Sequence, residues 1–267
     1  MVRAVRLFPK VSDCQVGHTS HHDRLVSVNL DGPADRLPNS PPVPARLAQK
    51  FDMVVYREDL YPATPGYYCP GRDEVSKSII LQGRWEGYET VLALDVLTGS
   101  TGMVYDFGAQ LGWYTILAAR TGHHVVAIEP DPENLRLLNL NLRMLGLTAE
   151  VRQIWVDDHT PTLTPGPPVR LVKIDVEGHC REAVQTCLPL LDRGDVDYLL
   201  VEVSPVFVDD SAETVARIVD RGYAPFLVPN ERPVTFGADP LGKIRDYPLR
   251  NLDWPQRDVL FIRNDLL

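Results

Sequence analysis

Short apolar runs alternate with amphipathic stretches between Met103 and Val203, and this rhythm is the strongest regularity in the chain. The runs at 103–105, 125–128, 149–156, 171–174 and 198–203 read as buried strands, the last four bounded by polar or turn-forming residues. Between them, 113–120, 132–145 and 180–188 read as helices. In the second, Leu135, Leu138, Leu142 and Leu145 recur at intervals of three, four and three, one apolar stripe. In the third, Val184, Cys187 and Leu188 form the stripe, and Pro189 is expected to stop the helix. Gly122 and Gly146 stand where C-caps belong. Strand and helix in strict alternation predict an α/β fold with a doubly wound, mostly parallel sheet.

The flanks differ from this block. A strand at 51–56, a turn-rich loop at 63–71 and a short helix at 73–81 precede a helix that ends near Leu97 and is apolar over much of its surface. After the block, Ser211 is expected to cap a helix with Val215, Ile218 and Val219 inward, followed by strands at 223–228 and 258–263. The polar segment 229–256 holds five prolines and is expected to be a long loop or lid on the substrate side. Residues 1–50 stand apart, with one short strand at 26–30 and four prolines in 37–46 that forbid a regular ladder or helix. The chain therefore divides into an N-terminal extension with a proline-rich connector, 1–50, and one domain, 51–267.

Chemistry concentrates at the first two strands of the block. Asp106 ends the first, Gly108 and Gly112 bracket a tight turn, and a helix follows. Gly108 allows the backbone to turn and a ligand to approach where a Cβ would intrude. The N–H groups at the start of that helix attract an anionic group. Glu129, 23 residues after Asp106, ends the next strand, where a carboxylate can hold both hydroxyls of a ribose. The turn is Asp-x-Gly-x-x-x-Gly, not the Gly-x-Gly-x-x-Gly of a dinucleotide enzyme. A carboxylate at the first strand tip suits a ligand with a positive amino group, which points to a nucleoside such as S-adenosylmethionine (SAM). Asp157 and Asp158 follow the third strand, where a carboxylate can accept an adenine amino group or merely cap a turn. Asp175 and Glu177 follow the fourth, and Glu202 within the fifth is too costly to bury without a cation or a pocket.

Composition narrows the partners. A net charge of −9 and a pI near 5.2 argue against a phosphate-backbone footprint, so no nucleic-acid partner is expected. The four cysteines make no Cys-x-x-Cys pair and read as free thiols in a reducing compartment. Cys14, His18, His21 and His22 lie close together, but their spacing matches no standard zinc pattern, so no metal site is assigned. No apolar run approaches a membrane span and no secretory leader is visible, so a cytoplasmic protein without a membrane partner is expected.

Five blocks in order carry a family resemblance: Trp85-Glu86, Val104-Tyr-Asp-Phe-Gly-Ala-Gln-Leu-Gly-Trp-Tyr-Thr115, Ala127-Ile-Glu-Pro-Asp131, Lys173-Ile-Asp-Val-Glu-Gly178 and Asp258-Val-Leu-Phe-Ile. From about Phe51 onward the chain resembles FkbM-type SAM-dependent methyltransferases. The resemblance implies a seven-stranded Rossmann-like sheet of the class I methyltransferase type with an antiparallel last hairpin. It also implies O-methylation of a small hydroxylated acceptor such as a sugar, polyketide or other secondary metabolite. It places SAM against Glu86, Asp106, Gly108, Ala109, Gln110, Gly112, Glu129, Pro130, Asp157 and Asp175. The family often has Asn where Gln110 stands, and His179 and Cys180 depart from its pattern.

Methyl transfer to an alcohol is an in-line displacement that gains from alignment and from removal of the hydroxyl proton. His179, beside Asp175 and Glu177 and of a type that titrates near neutral pH, is the first candidate base, with Glu177 beside it and His159 second. A divalent cation on Asp175, Glu177 or Glu202 is the alternative activator. Two other classes stay open: an NAD-dependent oxidoreductase, and a SAM-binding module without chemistry.

Overall fold

The structure is a computed structural model that describes residues 84–205, 210–229, 239–253 and 255–267, together with short elements at 16–19, 23–27, 68–69 and 74–82. The expected strand at 51–56, the proline-rich connector at 37–46, and Cys14, His21 and His22 lie outside the described residues. β1 (Val16–Thr19), β2 (Asp23–Ser27) and β3 (Tyr68–Cys69) pair as a small antiparallel sheet. The strand expected at 26–30 thus begins earlier. α1 (Glu74–Gln82) and α2 (Gly87–Leu97) follow.

The alternating block then unfolds as β4 (Met103–Phe107), α3 (Trp113–Arg120), β5 (His124–Ile128), α4 (Pro132–Met144), β6 (Glu150–Arg152), β7 (Val169–Ile174), α5 (Cys180–Asp192), β8 (Val196–Val203) and α6 (Ser211–Val219). β9 (Tyr223–Leu227), α7 (Pro240–Ile244) and β10 (Arg257–Arg263) close the chain. Seven strands form one sheet in the order β6-β5-β4-β7-β8-β10-β9. β10, inserted between β8 and β9, runs against both, and the pairs among β4 to β8 are parallel. The sheet class, the strand number and the reversed last hairpin match the expectation.

Period-two alternation sends successive side chains of each strand to opposite faces. Val104, Ala127, Leu171, Leu200 and Leu260 pack with α2, α3, α4 and α7. Phe107, Val126, Val172, Val201 and Phe261 pack with α5 and α6. α2 is buried nearly all round, with Leu92 and Leu94 wholly inaccessible; burial of a leucine contributes about 2 kcal/mol. α4 starts where an aspartate followed by proline should start a helix. The Asp131 carboxylate accepts from the N–H groups of Glu133 and Asn134, and Pro132 stands at the first position, where no N–H is needed.

Ser211 opens α6 rather than capping it, since Asp210 holds the cap position, and Val219 of that helix is exposed, not inward. Three further expectations need correction. The third strand ends at Arg152, not at 156: Glu129 N–H bonds Arg152 O, and the next donor that could face β6, Asp131 N–H, is turned to the Glu129 carboxylate instead. Pro189 does not stop α5, which runs on to Asp192 with Leu190 and Leu191 buried. The carbonyl that proline leaves without a helical donor belongs to exposed Gln185, so water can satisfy it, and the 163 loop bonds the next one (Leu163 N to Thr186 O, 2.8 Å). The segment 229–256 is not a loop throughout. Asp239 caps α7, whose Ile244 is fully buried, and Leu241 N–H bonds Asp95 on α2. Leu227 N–H to Tyr247 O and Leu249 N–H to Pro225 O cover the outer edge of β9, which would otherwise be an open pairing edge.

Candidate active site

Ligands of open α/β sheets bind beyond the carboxyl ends of the strands, where consecutive connections leave in opposite directions. Here that point lies between the neighbouring strands β4 and β7: α3 packs on one face and α5 on the other. The turn after β4 is folded onto the tip of β5 by two bonds from Gly108 and Ala109 N–H to Ile128 O, at 2.9 and 3.1 Å. Gly108 has φ +81, and a Cβ there would lie 1.7 Å from the Asp175 carbonyl oxygen. The glycine therefore serves the close approach of the β4 and β7 exits; this is a different reason from the ligand approach expected of it. Gly112 (φ +93) starts α3, and its missing Cβ makes room for Leu138 of α4.

Glu129 is 5% exposed and its carboxylate is held from three directions. Oε2 accepts from Gln110 N–H at 2.9 Å, and Oε1 accepts from Asp131 N–H at 3.0 Å and from Asn134 Nδ2 at 3.2 Å. Gln110 adopts φ +46, a left-handed conformation that side chains other than glycine rarely take. A carboxylate has about four acceptor positions, so this one is fixed in place with capacity left for a further donor. Pro130 follows with its carbonyl bonded by Gln153.

The second centre of the site is a buried lysine. Lys173 is 1% exposed, and its Nζ lies 3.2 Å from Asp258, 3.4 Å from Asp175 and 3.6 Å from Glu86. It also stands 5.2 Å from the centre of the Tyr114 ring. The register explains the gathering. Lys173 is the partner of Asp106 on β4, and Asp258 of β10 is the partner of Glu202 on β8. All four take positions that apolar residues of the α2–α3 face would otherwise fill. Tyr114 donates to Glu86 at 2.6 Å, and Trp113 Nε1 donates to Thr90, whose hydroxyl bonds Trp85 O. Glu86, at φ +41, is thereby tied to the first turn of α3. Asp106 is buried, with the Thr115 hydroxyl donating to it at 2.5 Å.

The remaining candidates are less drawn together. Asp157 lies five residues beyond β6 and is exposed; it accepts from His159 N–H and the Thr160 hydroxyl, which is a turn cap. His179 stands at the N-terminus of α5, half-buried, with the exposed Trp155 ring edge-on at 5.2 Å. Glu177 is exposed and in a left-handed conformation, φ +30. His159 is exposed. Glu202 accepts a short bond from Gln256 Nε2. Among the described residues no group of three His, Cys, Asp or Glu side chains is placed to hold a metal ion. Asp175 instead faces the Lys173 ammonium.

No family model matches the chain, and no curated protein does. Solved structures do match. A TehB-like SAM-dependent methyltransferase from Corynebacterium glutamicum is 13% identical, with 70% of this chain and 93% of that one covered at a TM-score of 0.46. An rRNA methylase from Streptococcus thermophilus is 17% identical, with 67% and 96% covered at 0.45. Precorrin-6y C5,15-methyltransferase from Geobacter metallireducens is 15% identical, with 68% and 92% covered at 0.43. The likeness at these identities is one of fold. Among the described residues no helix is long and apolar enough to cross a membrane.

Sequence reasoning passed over Lys173, Asp258, Glu89 and Tyr114. The titration of the carboxyl groups around Lys173 gives a measurable consequence. Burial, above all, pushes Glu89 and Glu202 up to about 8 and Asp106 to about 6. A carboxyl raised in the folded state contributes most below its unfolded value, about 4.3 for glutamate, and that contribution is lost as pH rises through the folded value. The ligand-free protein is therefore expected to lose thermal stability steadily from pH 5 to 8, followed by differential scanning calorimetry. A melting temperature that rises over that range would contradict the assignment.

Proposed function

We propose that residues 51–267 form a SAM-dependent methyltransferase domain of the FkbM type that methylates a hydroxyl of a small molecule. The observation that carries the reading is the fixed carboxylate of Glu129 beside the turn 108–112, at the point where the sheet reverses its winding. A held carboxylate there accepts ribose hydroxyls. The residues also fit the rest of the cofactor. Glu86, Asp175 and Asp258 together outnumber the one ammonium among them, and SAM brings an ammonium and a sulfonium. A pyrophosphate would meet the same carboxylates as repulsion, which sets the oxidoreductase reading behind.

SAM when bound supplies an electrophilic methyl carbon. The chain's own part is to orient and to move a proton. Glu129, Gln110 and Pro130 would hold the ribose end, and Asp106, Asp175 and Glu86 the cationic end. We assign the acceptor's proton to His179, whose ring stands half-buried after β7 with no capping bond to its own helix. Some structurally similar proteins are named as rRNA methylases. The net charge of −9 and the carboxylates of the crevice favour a neutral or cationic small acceptor over RNA here.

The test is binding of SAM by titration calorimetry to the wild type and to Glu129→Ala. The substitution is expected to cost about 1–3 kcal/mol of binding through lost hydrogen bonds, roughly five- to 150-fold in affinity. Unchanged affinity, with folding confirmed by circular dichroism, removes the ribose role. Incubation with labelled SAM and a panel of hydroxylated metabolites then reads methyl incorporation directly.

A further inference from the structure

On the reading just given, we propose that the crevice takes its cofactor by exchange: the ligand's positive charge enters the acidic cluster around Lys173, and the cluster releases protons to solvent. The geometry carries this. One ammonium, nearly inaccessible, faces Glu86 from the start of α2, Asp175 from the exit of β7 and Asp258 from β10, none farther than 3.6 Å. Their side chains are 13%, 24% and 14% exposed, so bulk water screens them little. Glu89 of α2, Asp106 of β4 and Glu202 of β8 add three more carboxyl groups to the same face. Tyr114 of α3 also faces the cluster; it is held neutral by burial and by Glu86, and its hydroxyl is spent as a donor to Glu86.

Six carboxyl groups around one ammonium cannot all ionise in a poorly hydrated space. Some of them hold protons at neutral pH in the empty site, in agreement with Glu89 and Glu202, both of which burial pushes up to about 8. A ligand that brings a cation favours the carboxylate form. Each carboxylic acid that ionises loses its O–H proton to the buffer, and the carboxylate left behind faces the incoming positive charge. The charge of the filled site is thus balanced without removal of Lys173 from its partners. Affinity for SAM should rise several-fold from pH 6.5 to pH 7.5.

Titration calorimetry of SAM into the full-length protein, in phosphate and in Tris at one pH, measures this. Protons released by the site are taken up by the buffer, so the apparent heat differs between the two by the number released multiplied by the difference in the buffers' heats of protonation. Near pH 7 the cofactor's own amine, with a pKa of about 7.7–8.0, is already mostly protonated and adds little. Net release is expected, and S-adenosylhomocysteine, which lacks the sulfonium charge, is expected to release fewer protons than SAM. Glu202→Gln and Glu89→Gln should each lower the count. Binding with equal heats in both buffers, proton uptake, or a release unchanged in both variants overturns the exchange and leaves the methyltransferase reading standing. Absence of SAM binding overturns both.

Discussion

Gly108→Ala is expected to remove about 4 kcal/mol or more of stability, a large share of the roughly 5–15 kcal/mol that a folded domain has. Two independent costs add. The first is conformational: φ +81 is a left-handed backbone that costs a residue with a Cβ about 1–2 kcal/mol. The second is overlap. The new methyl would stand 1.7 Å from the Asp175 carbonyl oxygen and 2.8 Å from its carbon, both backbone atoms at the exit of a central strand. Relief requires β4 and β7 to separate, yet the Asp175 N–H to Phe107 O bond joins those exits. Overpacking of this kind typically costs about 1–3 kcal/mol when side chains can yield, and more when they cannot. Gly112→Ala is the internal comparison: its methyl would meet first the Cδ1 end of Leu138, which can rotate away. Urea denaturation of both variants checks the claim. If Gly108→Ala were no less stable than Gly112→Ala, the close approach of the two exits would not be what holds that glycine.

The two halves of the site differ in how far residue order reveals them. Asp106, Gly108, Gly112 and Glu129 are local signals: one strand, one turn, one helix and the next strand tip, all within 24 residues. Their spacing alone is what the nucleoside-binding expectation rests on, although the reason for Gly108 was invisible because Asp175 lies 67 residues away. The Lys173 cluster depends instead on register between strands far apart in the chain. A lysine inside one apolar run and a glutamate inside another each look like a local fault. Only the pairing of β4 with β7, β7 with β8 and β8 with β10 shows that they occupy one face at one end of the sheet. The phase was readable in principle, since Lys173 and Glu202 each stand two residues after a position of the α2–α3 face (Leu171 and Leu200). Tyr114 and Glu86 meet through the packing of α3 against α2, which period alone does not specify. The overlong reading of the third strand has a similar cause. The run 149–156 is apolar enough to be a strand, but strand length is decided by what the neighbour can pair, and β5 had already ended.

Lys173→Met should test the cluster most severely. Methionine nearly fills the volume of the lysine stem, so the loss is one of charge rather than of packing. Burial by itself would lower the lysine's pKa; Asp175, Asp258 and Glu86 outweigh that and hold it well above its ordinary value. Removal of one partner of a buried ion pair typically costs about 3–5 kcal/mol, because the charge left behind is neither solvated nor balanced. Here three carboxylates lose their common partner, and at about 2–4 °C per kcal/mol the melting temperature should fall by roughly 10 °C. The pH dependence separates this cause from simple misfit. Without Lys173, Glu86 and Asp258 lose the charge that lowers them and rise further, and the variant can recover stability only where they hold protons. Its deficit against the wild type should therefore shrink toward pH 5 and widen toward pH 8, whereas a packing defect would keep the same size throughout. Asp258→Asn removes one of the stranded charges and should restore part of the loss in the double variant, more than it changes the wild type. A deficit independent of pH, with the two substitutions merely additive, would show that Lys173 is not the electrostatic centre of the crevice.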